Sequence, residues 1–218
     1  MTLTKEELFR KLLHLFALLM PVGIFYLPKW TMPLCAMPVI LALILAGCMT
    51  VEYCRSNLPD VQNIFVNLFG SMLRKEESTM ITGATWIVSS AFLCSLLFIN
   101  HPHLSFIALT LFILGDAAAA LVGITIGKTK IGKKSLEGSS ACFILCLLLF
   151  YFVFPYVPGL LDIWGGKAPT VIIWTTSFVV TFFELIPLKI TTDLTINDNL
   201  AVPIIAGSVM LGLEQLIL

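Results

Sequence analysis

Seven apolar runs, near 12–28, 32–50, 80–99, 104–126, 139–157, 169–187 and 200–217, alternate with short stretches holding Pro, Gly, Asn and charged residues. Each is close to the roughly 20 residues that a helix needs to cross a hydrocarbon core of about 30 Å. A chain patterned this way folds as helices in lipid, because backbone groups in hydrocarbon must find their partners within the segment. Composition agrees, with 58% of the 218 residues hydrophobic and only 12% charged, against about 25% in soluble domains. Thirteen basic and thirteen acidic residues cancel, which argues against nucleic acid as a partner. The expectation is an all-α integral membrane protein, a bundle of about seven transmembrane helices forming one catalytic domain over residues 1–218.

The first run continues into Pro28, Lys29 and Trp30 with no small-residue cleavage site, so it reads as a retained span and not as a signal peptide. Cys35, Cys48, Cys54, Cys94, Cys142 and Cys146 form no Cys-x-x-Cys pair. They read as small buried hydrophobes, not as zinc ligands or a disulfide framework.

Loops on alternate sides of such a bundle should differ in Lys and Arg. With the N-terminus inside, eleven of the thirteen basic residues fall on the inner face, and Lys29 and Lys167 are the exceptions. The acids follow the same division, although insertion does not require it, and only Asp162 and Glu214 fall to the outer half. The orientation expected is N-inside and C-outside, with chemistry on the inner, cytoplasmic face. The inner stretch around 51–79 is partly apolar (Ile64, Phe65, Val66, Leu68, Phe69) and suits an interfacial helix.

Asp116 has no charged neighbour between His103 and Lys128. A carboxylate inside the hydrocarbon costs on the order of 2.5–3.5 kcal/mol on insertion scales, so it faces the bundle interior and meets a partner or a metal. Gly115, Ala119, Gly123 and Gly127 recur every four residues on one helix face beside it. Close helix packing accounts for this ladder as well as close approach of a ligand does.

The segment from Gly127 to Ser139 follows, with Lys128, Lys130, Lys133 and Lys134 among its glycines. Exposed N–H groups and ammonium charges suit a polyphosphate, and Ser139 or Ser140 is placed to open the next helix. Headgroup binding is the alternative. A nucleotide P-loop is excluded by the spacing, since Gly123 to Lys128 is one residue too short.

Glu7, Arg10, Lys11 and His14 share a helical face where the chain enters the membrane. Glu52 with Arg55, and Arg74 with Glu77, repeat an i, i+3 pairing that reads as simple ion pairs. Glu184, and Asp198 with Asn199, offer oxygen ligands of the kind Mg²⁺ takes, and capping of the last helix by Asp198 is the structural alternative.

The run from Gly115-Asp116 through Ala120 to Gly123, then Gly127-Lys128, then Lys134-Ser135-Leu136-Glu137-Gly138-Ser139, resembles the polyprenol kinase family: dolichol kinase, phytol kinase and the CTP-dependent diacylglycerol kinase. Glu7 with Arg10, Lys11 and His14, Arg74 with Glu77 and Thr82-Gly83-Ala84, and Asp198-Asn199-Leu200 with Pro203 match in the same order, over nearly the whole chain. Phosphatidate cytidylyltransferase is related, but its second signature, a Lys-Asp pair followed by His-Gly-Gly and Asp-Arg-x-Asp, is absent.

The resemblance implies transfer of the γ-phosphate of CTP to the hydroxyl of a polyprenol, a phytol-type alcohol or diacylglycerol; nothing in the spacing separates CTP from ATP. In that scheme Asp116, Lys128, Lys134 and Glu137 are catalytic, and Asp116, Asp198 and Asn199 hold Mg²⁺. Gly115, Gly123, Gly127, Lys128, Ser135, Arg74 and Glu77 bind the nucleoside triphosphate. Glu7, Arg10, Lys11, His14 and Glu184 support the site.

Overall fold

The computed structural model describes residues 14–70, 73, 77, 80–132, 134–186, 188 and 196–217. Among these, the chain is built from helices: α1 (Leu19–Tyr26), α2 (Ala36–Asn57), α3 (Pro59–Phe69), α4 (Gly83–Leu97), α5 (Pro102–Thr125), α6 (Leu136–Leu148), α7 (Thr170–Leu185) and α8 (Asp198–Ile217). The exception is a two-stranded antiparallel hairpin, β1 (Lys130–Ile131) and β2 (Lys134–Ser135), which turns at Gly132 with φ +60°. Glu7, Arg10, Lys11, Arg74 and Lys133 lie outside the described residues.

Four helices are long and apolar enough to cross a membrane: α2, α5, α8, and α6 with its continuation to Tyr156. α4 and α7 are apolar but shorter. The boundaries shift from those expected. The second run, read as 32–50, begins as helix only at Ala36 and continues to Asn57, because the turn at 31–35 delays its start and Glu52 and Arg55 are satisfied within it. The helix after the lysine loop starts at Leu136, and Ser135, not Ser139 or Ser140, caps it by accepting the Gly138 N–H at 3.2 Å. Past Leu148 it widens into a π-turn over Leu149–Val153 and closes as a 3₁₀ turn at Phe154–Tyr156. Pro155, which cannot donate into a helical ladder, lies in that closing turn.

α5 is the axial element. Leu104, Ile107, Ala108, Leu109, Leu111, Phe112 and Ile113 on it have no exposed surface, and α1, α4, α6, α7 and α8 surround it. Large apolar side chains at the perimeter point outward instead, among them Leu43 on α2, Ile144 on α6 and Phe178 on α7, each more than half exposed. A soluble monomer rarely shows so continuous an apolar surface. A bilayer suits it.

The connections gather at two ends. At one, Tyr26 and Lys29 donate to the carbonyls of Pro158 and Gly159, and the His103 ring meets Trp164 edge-on. At the other, Glu52 and Arg55 join the 77–85 segment, and the hairpin meets α7 and α8. The helix Pro59–Phe69 falls within the stretch where an amphipathic segment was expected.

Candidate functional site

The site grows from the small residues of α5. A Cβ on Gly115 would lie 2.7 Å from Cys142 Sγ, one on Gly123 2.8 Å from Ser135 Oγ, and one on Gly127 2.6 Å from the same oxygen. The glycine ladder therefore brings α5 against α6 and the hairpin, and the faces of Gly115, Gly123 and Gly127 are filled by Cys142 and Ser135. Gly138 reciprocates from α6, where a Cβ would stand 2.5 Å from the Ala119 carbonyl oxygen. That neighbour is backbone and cannot swing away. Gly138→Ala should therefore destabilise by about 1–3 kcal/mol through overpacking, although helix propensity alone would give a gain of up to about 1 kcal/mol. A lowered melting temperature in detergent checks the sign.

Around this contact four elements bring charge together. Lys134 on β2 lies 2.8 Å from Glu184 Oε1 on α7 and 2.8 Å from Asp198 Oδ2 on α8. It also donates to the Glu184 carbonyl at the end of α7, where a cation complements the helix dipole. Burial alone would lower the Lys134 ammonium, but the Asp198 and Glu184 carboxylates outweigh it and hold it above the ordinary lysine value. Its contribution to stability is thus complete below the ordinary lysine value and is lost only as pH rises through the raised one. Ser139 Oγ stands 3.4 Å from Glu184 Oε2.

Asp116 faces the same region from α5. His14 Nε2 is 3.7 Å from its Oδ2, both side chains being 14% exposed, and its charge acts on Glu184 through space, as does that of Asp198. Three carboxylates converge with one ammonium between two of them.

The other expected site residues flank this cluster. Glu137 accepts the Thr129 N–H with both oxygens, at 3.0 and 3.2 Å, and so closes the base of the lysine loop. Lys128 and Lys130 are exposed on that loop, with Lys130 Nζ 3.4 Å from the Gly123 carbonyl. Glu77 accepts the Gly83 N–H at 2.9 Å, and Asn199 Nδ2 donates to the Gly83 carbonyl at 3.0 Å. Asn199 thus holds the start of α4 against the start of α8, and Glu77 ties the start of α4 to the chain before it. Asn197 Oδ1, just before α8, and Asp198 Oδ1 both accept the Asn199 N–H at 3.0 Å, while the second Asp198 oxygen, Oδ2, meets Lys134.

Glu52 and Arg55, read as a simple ion pair, do more. Glu52 Oε1 accepts the Thr82 N–H, the Thr82 hydroxyl and the Thr85 hydroxyl at 2.8–2.9 Å, while Oε2 accepts from Arg55 Nε at 2.5 Å. Arg55 reaches on to the carbonyls of Glu77 and Met80. Thr82 and Thr85, two short polar residues at a predicted helix start, were the signal for this anchor. At the opposite end, His101, His103 and Glu214 meet in a cluster the sequence reading did not single out.

The fold and this site define an all-α protein, its regular structure among the described residues helical save for the hairpin, with four helices suited to a bilayer and a charged cluster at one end. No protein-family model matches the chain, and no solved structure matches it. Among curated proteins it is similar to an uncharacterized protein of Rickettsia prowazekii (strain Madrid E), 28% identical over 198 residues that cover 89% of this chain and 88% of that one.

Proposed function

We propose that this protein is a multi-pass membrane lipid-alcohol kinase, acting at the cytoplasmic face with CTP as phosphoryl donor and a polyprenol, phytol-type alcohol or diacylglycerol as acceptor. One observation carries the reading: Lys134, held between Glu184 and Asp198 beside Asp116, at the root of a hairpin that exposes further lysines. The grouping of the connections at two ends supports seven crossings with the basic loops together, and the positive-inside rule makes that face cytoplasmic.

Phosphoryl transfer asks mainly for positioning and neutralisation of charge. The acceptor oxygen forms a bond to the γ-phosphorus as the β–γ bridging bond breaks, CDP departs, and the hydroxyl proton passes to a carboxylate, for which Asp116 is the candidate. Lys128 and Lys134 draw the phosphates to the membrane boundary. Asp116 and Asp198, with Glu184 nearby, would supply oxygen ligands of the kind Mg²⁺ takes. When bound, that ion supplies neutralisation of phosphate charge. His14 keeps Asp116 oriented, and Glu137 keeps the lysine loop closed on α6.

The test is incubation of the purified protein with Mg²⁺ and γ-labelled CTP or ATP against a panel of lipid alcohols. Label on a lipid, more from CTP than from ATP, is the expected result. Transfer of CMP to phosphatidate would reassign the site to CDP-lipid synthesis, and Asp116-dependent ion flux without nucleotide binding would make it a transport pathway.

A further inference from the structure

His101 and His103 flank Pro102, the first residue of α5, and Glu214 lies in the last turn of α8. His101 Nδ1 is 2.8 Å from Glu214 Oε1, and His103 Nε2 is 2.8 Å from Oε2. One ligand atom from each residue lies within 4.8 Å of the others. Glu214 is 2% exposed and His103 7%, whereas the His101 side chain is 34% exposed and opens the cluster to solvent on one side. The proposed kinase chemistry, at the other end of the bundle, uses none of them.

A carboxylate buried at the end of an apolar helix needs a positive partner. Among the described residues, the ion-pair partners of Glu214 are these two imidazoles. With both rings neutral the cluster keeps a full negative charge. Lys29, which acts on His103 through space, is turned to the Gly159 carbonyl at 3.2 Å and to the Phe25 ring at 3.8 Å. A divalent cation held by the carboxylate and the two rings would reverse the sign of the cluster.

Two imidazoles and one carboxylate form the three-ligand set of an open zinc site, with the fourth position left to water. Mg²⁺, which takes oxygen ligands, does not suit it. Ligand atoms about 2.0–2.2 Å from zinc sit roughly 3.3 Å apart in a tetrahedral arrangement, so the ion is admitted when the 2.8 Å contacts open by about half an ångström and the three ligand atoms, already within 4.8 Å of one another, adjust to that spacing. Small side-chain rotations supply that on a backbone fixed by two helices. We propose that His101, His103 and Glu214 form a zinc site that ties the start of α5 to the end of α8, on the face opposite the lysine hairpin.

The full chain, stripped by chelator in detergent, is titrated with Zn²⁺ by equilibrium dialysis, with Co²⁺ as a visible-absorption probe and melting temperature as a second readout. One Zn²⁺ per chain, a raised melting temperature and a tetrahedral Co²⁺ band are expected, with Mg²⁺ failing to compete. Glu214→Gln, which preserves shape, and His101→Ala, at a partly exposed helix start, should each weaken binding by at least about 100-fold, the upper end of the cost of losing even an outer-shell partner. Asp116→Asn should leave zinc affinity unchanged. Absence of stoichiometric zinc in the wild type, equal affinity in the Glu214→Gln and His101→Ala proteins, or loss of zinc on Asp116→Asn instead would overturn the assignment.

Discussion

Asp116→Asn is expected to lower phosphoryl transfer from CTP to a lipid alcohol by about 10³-fold, the scale on which a single electrostatic group aimed at a transition state contributes. The same change should leave the melting temperature near that of the wild type, or above it. Asp116 acts on Glu184, and Asp198 adds a third negative group. Removing one of three clustered carboxylates relieves repulsion, while the Lys134 bridge to Glu184 and Asp198 remains. A residue retained for structure would show the reverse, activity falling only as the fold is lost. Equal kcat in the two proteins, at equal folded fraction, would remove Asp116 from the reaction.

Glu52→Ala is expected to have the largest effect on stability. It removes the carboxylate paired with Arg55, whose side chain is 2% exposed, and leaves the Thr82 N–H without its acceptor. Breaking a buried ion pair costs about 3–5 kcal/mol, enough to unfold much of a marginal protein. Glu52→Gln, which keeps one acceptor oxygen, should lose less, and the double change Glu52→Leu with Arg55→Met should recover part of the loss, because no uncompensated charge then remains. Chemical unfolding followed by tryptophan fluorescence measures all three. A single mutant that unfolds like the wild type would show that the 77–85 segment does not depend on this anchor.

The helices were legible because hydropathy over about 20 residues is a length measurement, and α5, α6 and α8 lie near where the runs placed them. What hydropathy misses is where a helix leaves the lipid. α2 continues for two turns past its apolar run because Glu52 and Arg55 neutralise each other and are further satisfied by the Glu77 and Met80 carbonyls and by Thr82 and Thr85, 22–33 residues along the chain, which no local window registers. Asp116 stood out since a charge inside an apolar run is expensive wherever it ends up. Glu184 and Asp198 were legible as oxygen donors, but that both would close on Lys134, 50 and 64 residues away, is a fact of helix packing. The glycine ladder shows the limit of pattern alone. Its period fits either a ligand cradle or a helix contact, and Ser135 and Cys142 occupy the space. His101 and His103 sit in a short connection with no Lys or Arg and no spacing that marks a site; their partner, Glu214, is one of the two acids that fall on the far side.

α8 is gripped at both extremities, by Lys134 and Gly83 at Asp198 and Asn199, and by His101 and His103 at Glu214. Midway along it, the Phe98 ring fills the space beside Gly207 where any side chain would sit. Such a helix behaves as a fixed strut. Asp198 beside Lys134 is therefore positioned by contacts along the whole length of α8 and not by the hairpin alone.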